Sequence, residues 1–186
     1  YYIRIKCREN MQVPMSIASR ISVFNSSSSY NLASGIYIGI MMVMILYNLF
    51  IFLIFRDRSY VLYSIYIVMV LLTQTSLQGF TFQYLWPEHP SLSVYSQFCL
   101  PSLVGLAALE FFKEFLHLKE RMPLAYRLSF IFIIPYVVGP ALSFFGLYSI
   151  SFGIIDATAS IVSVYMLTVA YIVYRRGFSE ARLFFI

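Results

Sequence analysis

Along the first eight residues, Tyr-Tyr-Ile-Arg-Ile-Lys-Cys-Arg, apolar and basic positions alternate: Ile3, Ile5 and Cys7 fall on one face, Arg4, Lys6 and Arg8 on the other. A period of two predicts a strand with one buried face. After a turn at Glu9 and Asn10, Val13, Met15 and Ile17 alternate again with polar or small residues, and Pro14 favours an edge position. So short a stretch cannot bury a core by itself. Residues 1–24 are therefore expected to be the C-terminal strands of a larger β domain, and the polar run at 25–32 a linker.

The pattern then changes. No charged residue occurs from Ala33 to Phe55, a stretch longer than the roughly 20 residues needed to cross a bilayer. Further apolar stretches run from about Tyr60 to Gly79, Tyr95 to Leu116, Ala125 to Phe145 and Ile150 to Tyr174, and Ala181–Ile186 opens another. The expected fold class is an all-α polytopic membrane bundle of five complete spans and the start of a sixth, preceded by the end of a β-sheet domain. The spanning domain is expected over residues 33–186. Because the chain starts within a strand-like run and stops within an apolar one, it is expected to be a piece of a longer protein.

Composition agrees with a membrane partner. The 186 residues are 60% hydrophobic and only 11% charged, with a mean hydropathy of +0.78, whereas soluble domains carry roughly a quarter charged residues. The net charge of +5 is spread over short polar breaks, with no dense basic patch among aromatics, so no nucleic-acid partner is expected. These charges orient the chain instead. The breaks after the first, third and fifth spans hold Arg56, Asp57 and Arg58, then Lys119 and Arg121, then Arg175 and Arg176; those after the second and fourth hold no Lys or Arg. Short basic loops stay cytoplasmic, so the N-terminal strands are expected outside the cell membrane, and Arg56–Arg58 marks a tight cytoplasmic turn.

Few residues offer chemistry. Gly35 and Gly39 allow close helix packing, within one bundle or in a homodimer, and Asn48 can hydrogen bond to a neighbouring helix. Gln74 and Gln78 lie one turn apart at the outer end of the second span, with Tyr84 and Trp86 just beyond; together they form either a ligand-lining group or an ordinary interfacial belt. Asp156 lies about two turns into the fifth span among small residues. A carboxylate at that depth is costly, which makes it either a relay candidate or a structural hydrogen-bonding group. Glu110 and Lys113, three apart, are expected to pair near the inner surface. Pro101, Pro135 and Gly139–Pro140 should loosen their helices. Two cysteines without metal-ligand spacing, and two histidines on opposite sides of the membrane, suggest no disulfide framework, metal or cofactor. No hydrolase, metalloprotease or nucleotide-binding motif occurs, and no enzymatic activity is expected of this chain.

Taken in order, Gly35-x-x-x-Gly39 followed by Tyr47-Asn48-Leu49, the Arg56-Asp57-Arg58-Ser59-Tyr60 turn, Gln83-Tyr84-Leu85-Trp86-Pro87 and the closing Arg175–Phe185 stretch resemble the bacterial seven-transmembrane receptors with diverse intracellular signalling modules, over about residues 33–186. The resemblance implies a jelly-roll-like extracytoplasmic sensor domain for carbohydrate-like or other small ligands, and seven helices in the inner membrane. It further implies a cytoplasmic output domain in the full-length parent, such as a diguanylate cyclase, histidine kinase, phosphatase or adenylate/guanylate cyclase. The rival reading is a secondary transporter or channel that uses Asp156 as an ion or proton site. No clear inverted repeat and no second deep carboxylate accompany it.

Overall fold

The computed structural model describes residues 19–84, 87, 88 and 90–175, so the strands expected over the first 18 residues lie outside the described part. The chain divides into two compact units, Tyr1–Ile40 and Met41–Ile186. A first helix, α1 (Arg20–Phe55), begins in the first unit and ends in the second. It includes residues 20–24 and the whole segment expected to be a linker. Composition marks that serine run as coil, but adding residues to an existing helix costs far less than starting one, and the apolar span supplies the nucleus.

Arg56 has the left-handed φ of 56° that turns the chain out of α1, and its N–H donates to the Phe52 carbonyl at 2.8 Å. Asp57 then caps α2 (Arg58–Leu77) by accepting the Ser59 N–H at 2.9 Å. At the far end of α2, Gly79 takes a φ of 81° and leads into the short α3 (Phe80–Tyr84). The third span, α4 (Pro90–Phe115), contains Pro101 within its length. It is followed by α5 (Leu118–Arg121) and α6 (Pro123–Ser129).

The fourth span is not one regular helix. A 3-10 turn, Phe130–Phe132, separates α6 from α7 (Ile133–Phe144). Pro135 has no N–H for the carbonyl of residue 131, and the irregular turn falls at that point. Beyond α7, the N–H groups of Gly146 and Leu147 donate to Ser143 and Leu142 carbonyls, with Gly146 left-handed at φ 78°, and α8 (Tyr148–Arg175) returns. Among the described residues five helical segments are long and apolar enough to cross a membrane: Ile21–Phe55, Arg58–Leu77, Leu92–Phe115, Pro123–Phe144 and Tyr148–Arg175. They correspond one by one to the five expected spans.

In the second unit α4 is the central helix, packed against α2, α7 and α8, while α7 also packs along α8. Near its middle, Leu109 of α4, Tyr136 of α7 and Val162 of α8 are buried together. Towards Arg175, Phe112, Leu116, Leu118 and Ala125 close around Val169, Ala170 and Val173. Apolar side chains lie on the outside as well as the inside, with Val137, Ile161 and Val164 exposed, as lipid contact demands. Polar clasps join the helices: the Ser76 and Ser96 hydroxyls at 2.9 Å, the Ser151 hydroxyl on the Gly139 carbonyl, and the Tyr165 hydroxyl on the Ala125 carbonyl at 2.7 Å.

Two glycines set how closely these helices approach. A Cβ at Gly139 would lie 2.7 Å from Ile155 Cγ1, and one at Gly105 would lie 2.2 Å from Tyr136 Cζ. At both positions the missing methyl is the space the neighbouring side chain fills. Gly105→Ala is expected to lower stability by about 1–3 kcal/mol through overpacking against a rigid ring. Gly153→Ala, where nothing lies within 4 Å, should be neutral. Thermal unfolding of the two variants in detergent checks this, and Tyr136→Leu should remove most of the Gly105→Ala penalty.

Candidate functional site

Two clusters of polar groups occupy different heights of the second unit. At the end where α4 finishes and α2 begins, Arg58, Glu110, Lys113, Glu114, His117 and Glu120 surround a cleft of about 360 Å³. Lys113 Nζ donates to Glu110 Oε1 at 2.6 Å, the pairing expected from their spacing. Its ammonium is not at the surface, however: Lys113 is only 6% exposed and lies 4.4 Å from the Phe130 ring centroid and 5.5 Å from that of Tyr126. An ion pair and aromatic faces offset the cost of withdrawing the cation from water. Its position clamps the end of α4 to the fourth span.

Both turns at this end use left-handed residues that have a side chain, Arg56 and His117 (φ 48°), whereas the turns at the opposite end use Gly79 and Gly146. His117 precedes α5 without a side-chain cap. Its N–H donates to the Glu114 carbonyl at 3.0 Å, and its own carbonyl accepts from Glu120 and Arg121. Hydrogen bonds on both sides hold a conformation that costs an L-residue roughly 1–2 kcal/mol.

The second cluster is a cavity of about 470 Å³ at mid-height, bounded by α2, α4, α7 and α8. Its walls are mainly apolar, and the polar residues among them are Tyr66, Thr73, Gln74, Tyr136 and Ser163. Among the described residues no charged side chain lines it. Thr73 and Ser163 have turned their hydroxyl protons to the Met69 and Ala159 carbonyls of their own helices, at 2.7 and 2.8 Å. They keep acceptor capacity alone. Among the described residues no group of three or more His, Cys, Asp or Glu could hold a metal, and Cys99 is a free thiol in α4.

A model of the family described as 7TM diverse intracellular signalling matches residues 30–186. The chain belongs to this family. No curated protein and no solved structure matches it.

Within this 7TM diverse intracellular signalling domain the residues singled out in the sequence are dispersed. Of the outer candidates, Gln74 lines the cavity. Gln78 is the exposed C-cap of α2. Tyr84 ends α3, and Trp86 lies outside the described residues. Nearby, Thr81 is buried with its hydroxyl unpartnered among the described residues. Asp156 is exposed on α8, and its carbonyl accepts the Ser160 hydroxyl at 2.9 Å; its carboxylate makes no hydrogen bond or ion pair among the described residues. It does not line the cavity, but it shares a helical stripe with Ala159 and Ser163, three and seven positions on, which do.

Asn48 is buried, and its amide donates to the Met44 carbonyl of its own helix at 2.7 Å, where a bond to a neighbouring helix was expected. Gly35 and Gly39 lie on α1 in the first unit, where neither has a neighbour within its own unit that a Cβ would meet. At the basic end, Asp57 acts as a helix cap and Arg58 borders the charged cleft; Arg175 ends α8, its guanidinium 3.4 Å from the Tyr171 hydroxyl, and Arg176 lies outside the described residues. Sequence reasoning missed Tyr136 and Gly105. Their only local signal is a glycine among bulkier residues in the third span.

The left-handed turn at His117 supplies a prediction. His117→Gly should leave stability unchanged or raise it by up to about 1 kcal/mol, and His117→Val should lower it by about 1–3 kcal/mol. Denaturant unfolding followed by helical circular dichroism distinguishes them.

Proposed function

We propose that this domain is the membrane part of a bacterial inner-membrane receptor, with its N-terminal side outside. In this reading it responds to an extracytoplasmic small molecule of carbohydrate-like or related type, bound chiefly by a sensor domain of the full-length parent, and passes the response to a cytoplasmic output domain. The observation that carries the reading is charge asymmetry. Arg56, Arg58, Lys113, Lys119, Arg121 and Arg175 gather at one end of the second unit, and the turns around Gly79 and Gly146 have no Lys or Arg among the described residues. Short basic loops favour the cytoplasmic side, and membership of a family described by intracellular signalling supports an output there.

The mixed-charge cleft around Arg58 and Lys113 is then the surface nearest an output domain. A diguanylate cyclase, histidine kinase, phosphatase or nucleotide cyclase in the parent would carry out the reaction, and this chain would carry none itself. Helix pairing in a homodimer through Gly35 and Gly39 belongs to the same proposal. Asp156, with no partner for its carboxylate among the described residues, is the relay candidate. A ligand shifts such a bundle only as far as it binds its two states unequally.

Two measurements test this reading. Replacing Arg56 and Arg58 together by Gln should disturb orientation in a topology-reporter fusion more than it alters ligand response; unchanged orientation would overturn the assignment of this turn to the cytoplasm. In the full-length parent reconstituted in membranes, Asp156→Asn should shift the ligand concentration for half-maximal output by about five-fold or more, the scale of a modest coupling energy. An unaltered dose response would reduce Asp156 to a tolerated polar residue. A full absence of ligand response in the wild type, together with ion flux that Asp156→Asn abolishes, would favour transport.

A further inference from the structure

The mid-height cavity has a feature that packing alone does not require. Tyr136 is only 3% exposed and lines the cavity. The end of its ring is fixed on Gly105, where a Cβ would lie 2.6 Å from the hydroxyl oxygen. That hydroxyl makes no hydrogen bond among the described residues, although Tyr165, one layer nearer the basic end, has the Ala125 carbonyl as its acceptor. The fully enclosed unpartnered oxygen among the described residues is Thr81 Oγ1, so the Tyr136 oxygen opens onto the cavity it lines, a donor with no protein acceptor opposite it among these residues.

The geometry points to the cavity between α2, α4, α7 and α8 as a binding site for a small uncharged amphiphile drawn from the bilayer, with its alcohol or carbonyl oxygen accepting the Tyr136 hydroxyl. Five observations fix this chemistry. The volume of about 470 Å³ falls in the range that encloses a small organic ligand. No charged group among the described residues lines the walls, so an anion or cation entering there would find no counter-charge among them. The Tyr136 hydroxyl is a free donor. Thr73 and Ser163, their protons already committed, can only accept, which suits an alcohol that both accepts and donates. Val70, Val104, Ala108, Phe111 and Met166 offer an apolar lining for the remainder. Gln74 on α2 and Ala159 and Ser163 on α8 line the cavity and are exposed, which places an entrance between these two helices.

This site is separate from the extracytoplasmic ligand of the proposed function, and its test reads binding, not signalling, so either can fail alone. The full chain in nanodiscs is photolabelled with a long-chain alcohol carrying a diazirine, and in parallel with the carboxylate of the same chain length. Saturable labelling of the Pro101–Phe111 peptide by the alcohol is expected, competed by unlabelled alcohol and weaker for the carboxylate. Tyr136→Phe should reduce it about three- to ten-fold, the value of one hydrogen bond expressed as affinity. Because Tyr136→Phe removes a hydroxyl with no protein partner, its thermal stability should match the wild type. Ala108→Phe, which fills the cavity, should abolish labelling. Labelling that does not saturate, or that both variants leave unchanged, would overturn the proposal. So would efficient cross-linking of Ser163→Cys to a cysteine introduced among residues 176–186, because protein would then occupy the space.

Discussion

Hydrocarbon offers no water to an amide, a carbonyl or a hydroxyl, and every level of this domain answers to that constraint. It makes each span a helix. It also folds hydroxyls back on their own helices: Ser64 donates to the Tyr60 carbonyl at 2.8 Å, Thr158 to Ile154 at 2.6 Å and Thr168 to Val164 at 2.8 Å. Even the amide of Asn48 is used in this way. Chain segments that look polar in sequence thus present few free polar groups to their surroundings. The informative groups are those the constraint leaves without partners among the described residues: the Tyr136 hydroxyl against the cavity, the buried Thr81 hydroxyl and the Asp156 carboxylate.

What could be read in the sequence follows from the same physics. A span depends on a local sum of apolar residues, so the five spans emerged with small differences at their ends. The turn at Arg56–Arg58 was equally legible, because charge and capping act within a few residues. The helical course of residues 25–32 was not, since propagation from α1 overrides the preference of a serine run. Pro135 signalled an irregular fourth span but not its form, a 3-10 turn between two helices. The cavity could not have been read at all. The contact of Gly105 with Tyr136 depends on the register of two different helices, and no local pattern encodes that register. Similarly, the small residues around Asp156 on α8 were visible, but whether they faced another helix, a cavity or the surroundings was a tertiary question.

The arrangement of α4 connects these features. Ser96 ties one end to α2, Pro101 and Gly105 form part of the cavity wall, and Lys113 joins the other end to the Phe130 region of the fourth span. Sliding α4 by about one turn along its axis against α7 would bring Ser102 or Leu109, which share the face of Gly105 and each carry a Cβ, to the Tyr136 ring. The contact therefore resists small continuous displacement and permits rotation of the ring or a jump to another seating, which is how packed interfaces convert graded forces into discrete states. A molecule in the cavity would touch Tyr136 and α4 at once. It would bias the seating in proportion to the difference in its contacts with the two arrangements, and Lys113 would be the contact through which that bias met the charged cleft. The coupling needs no wire of residues through the membrane: one central helix, held at both ends and notched in the middle by a glycine, is sufficient.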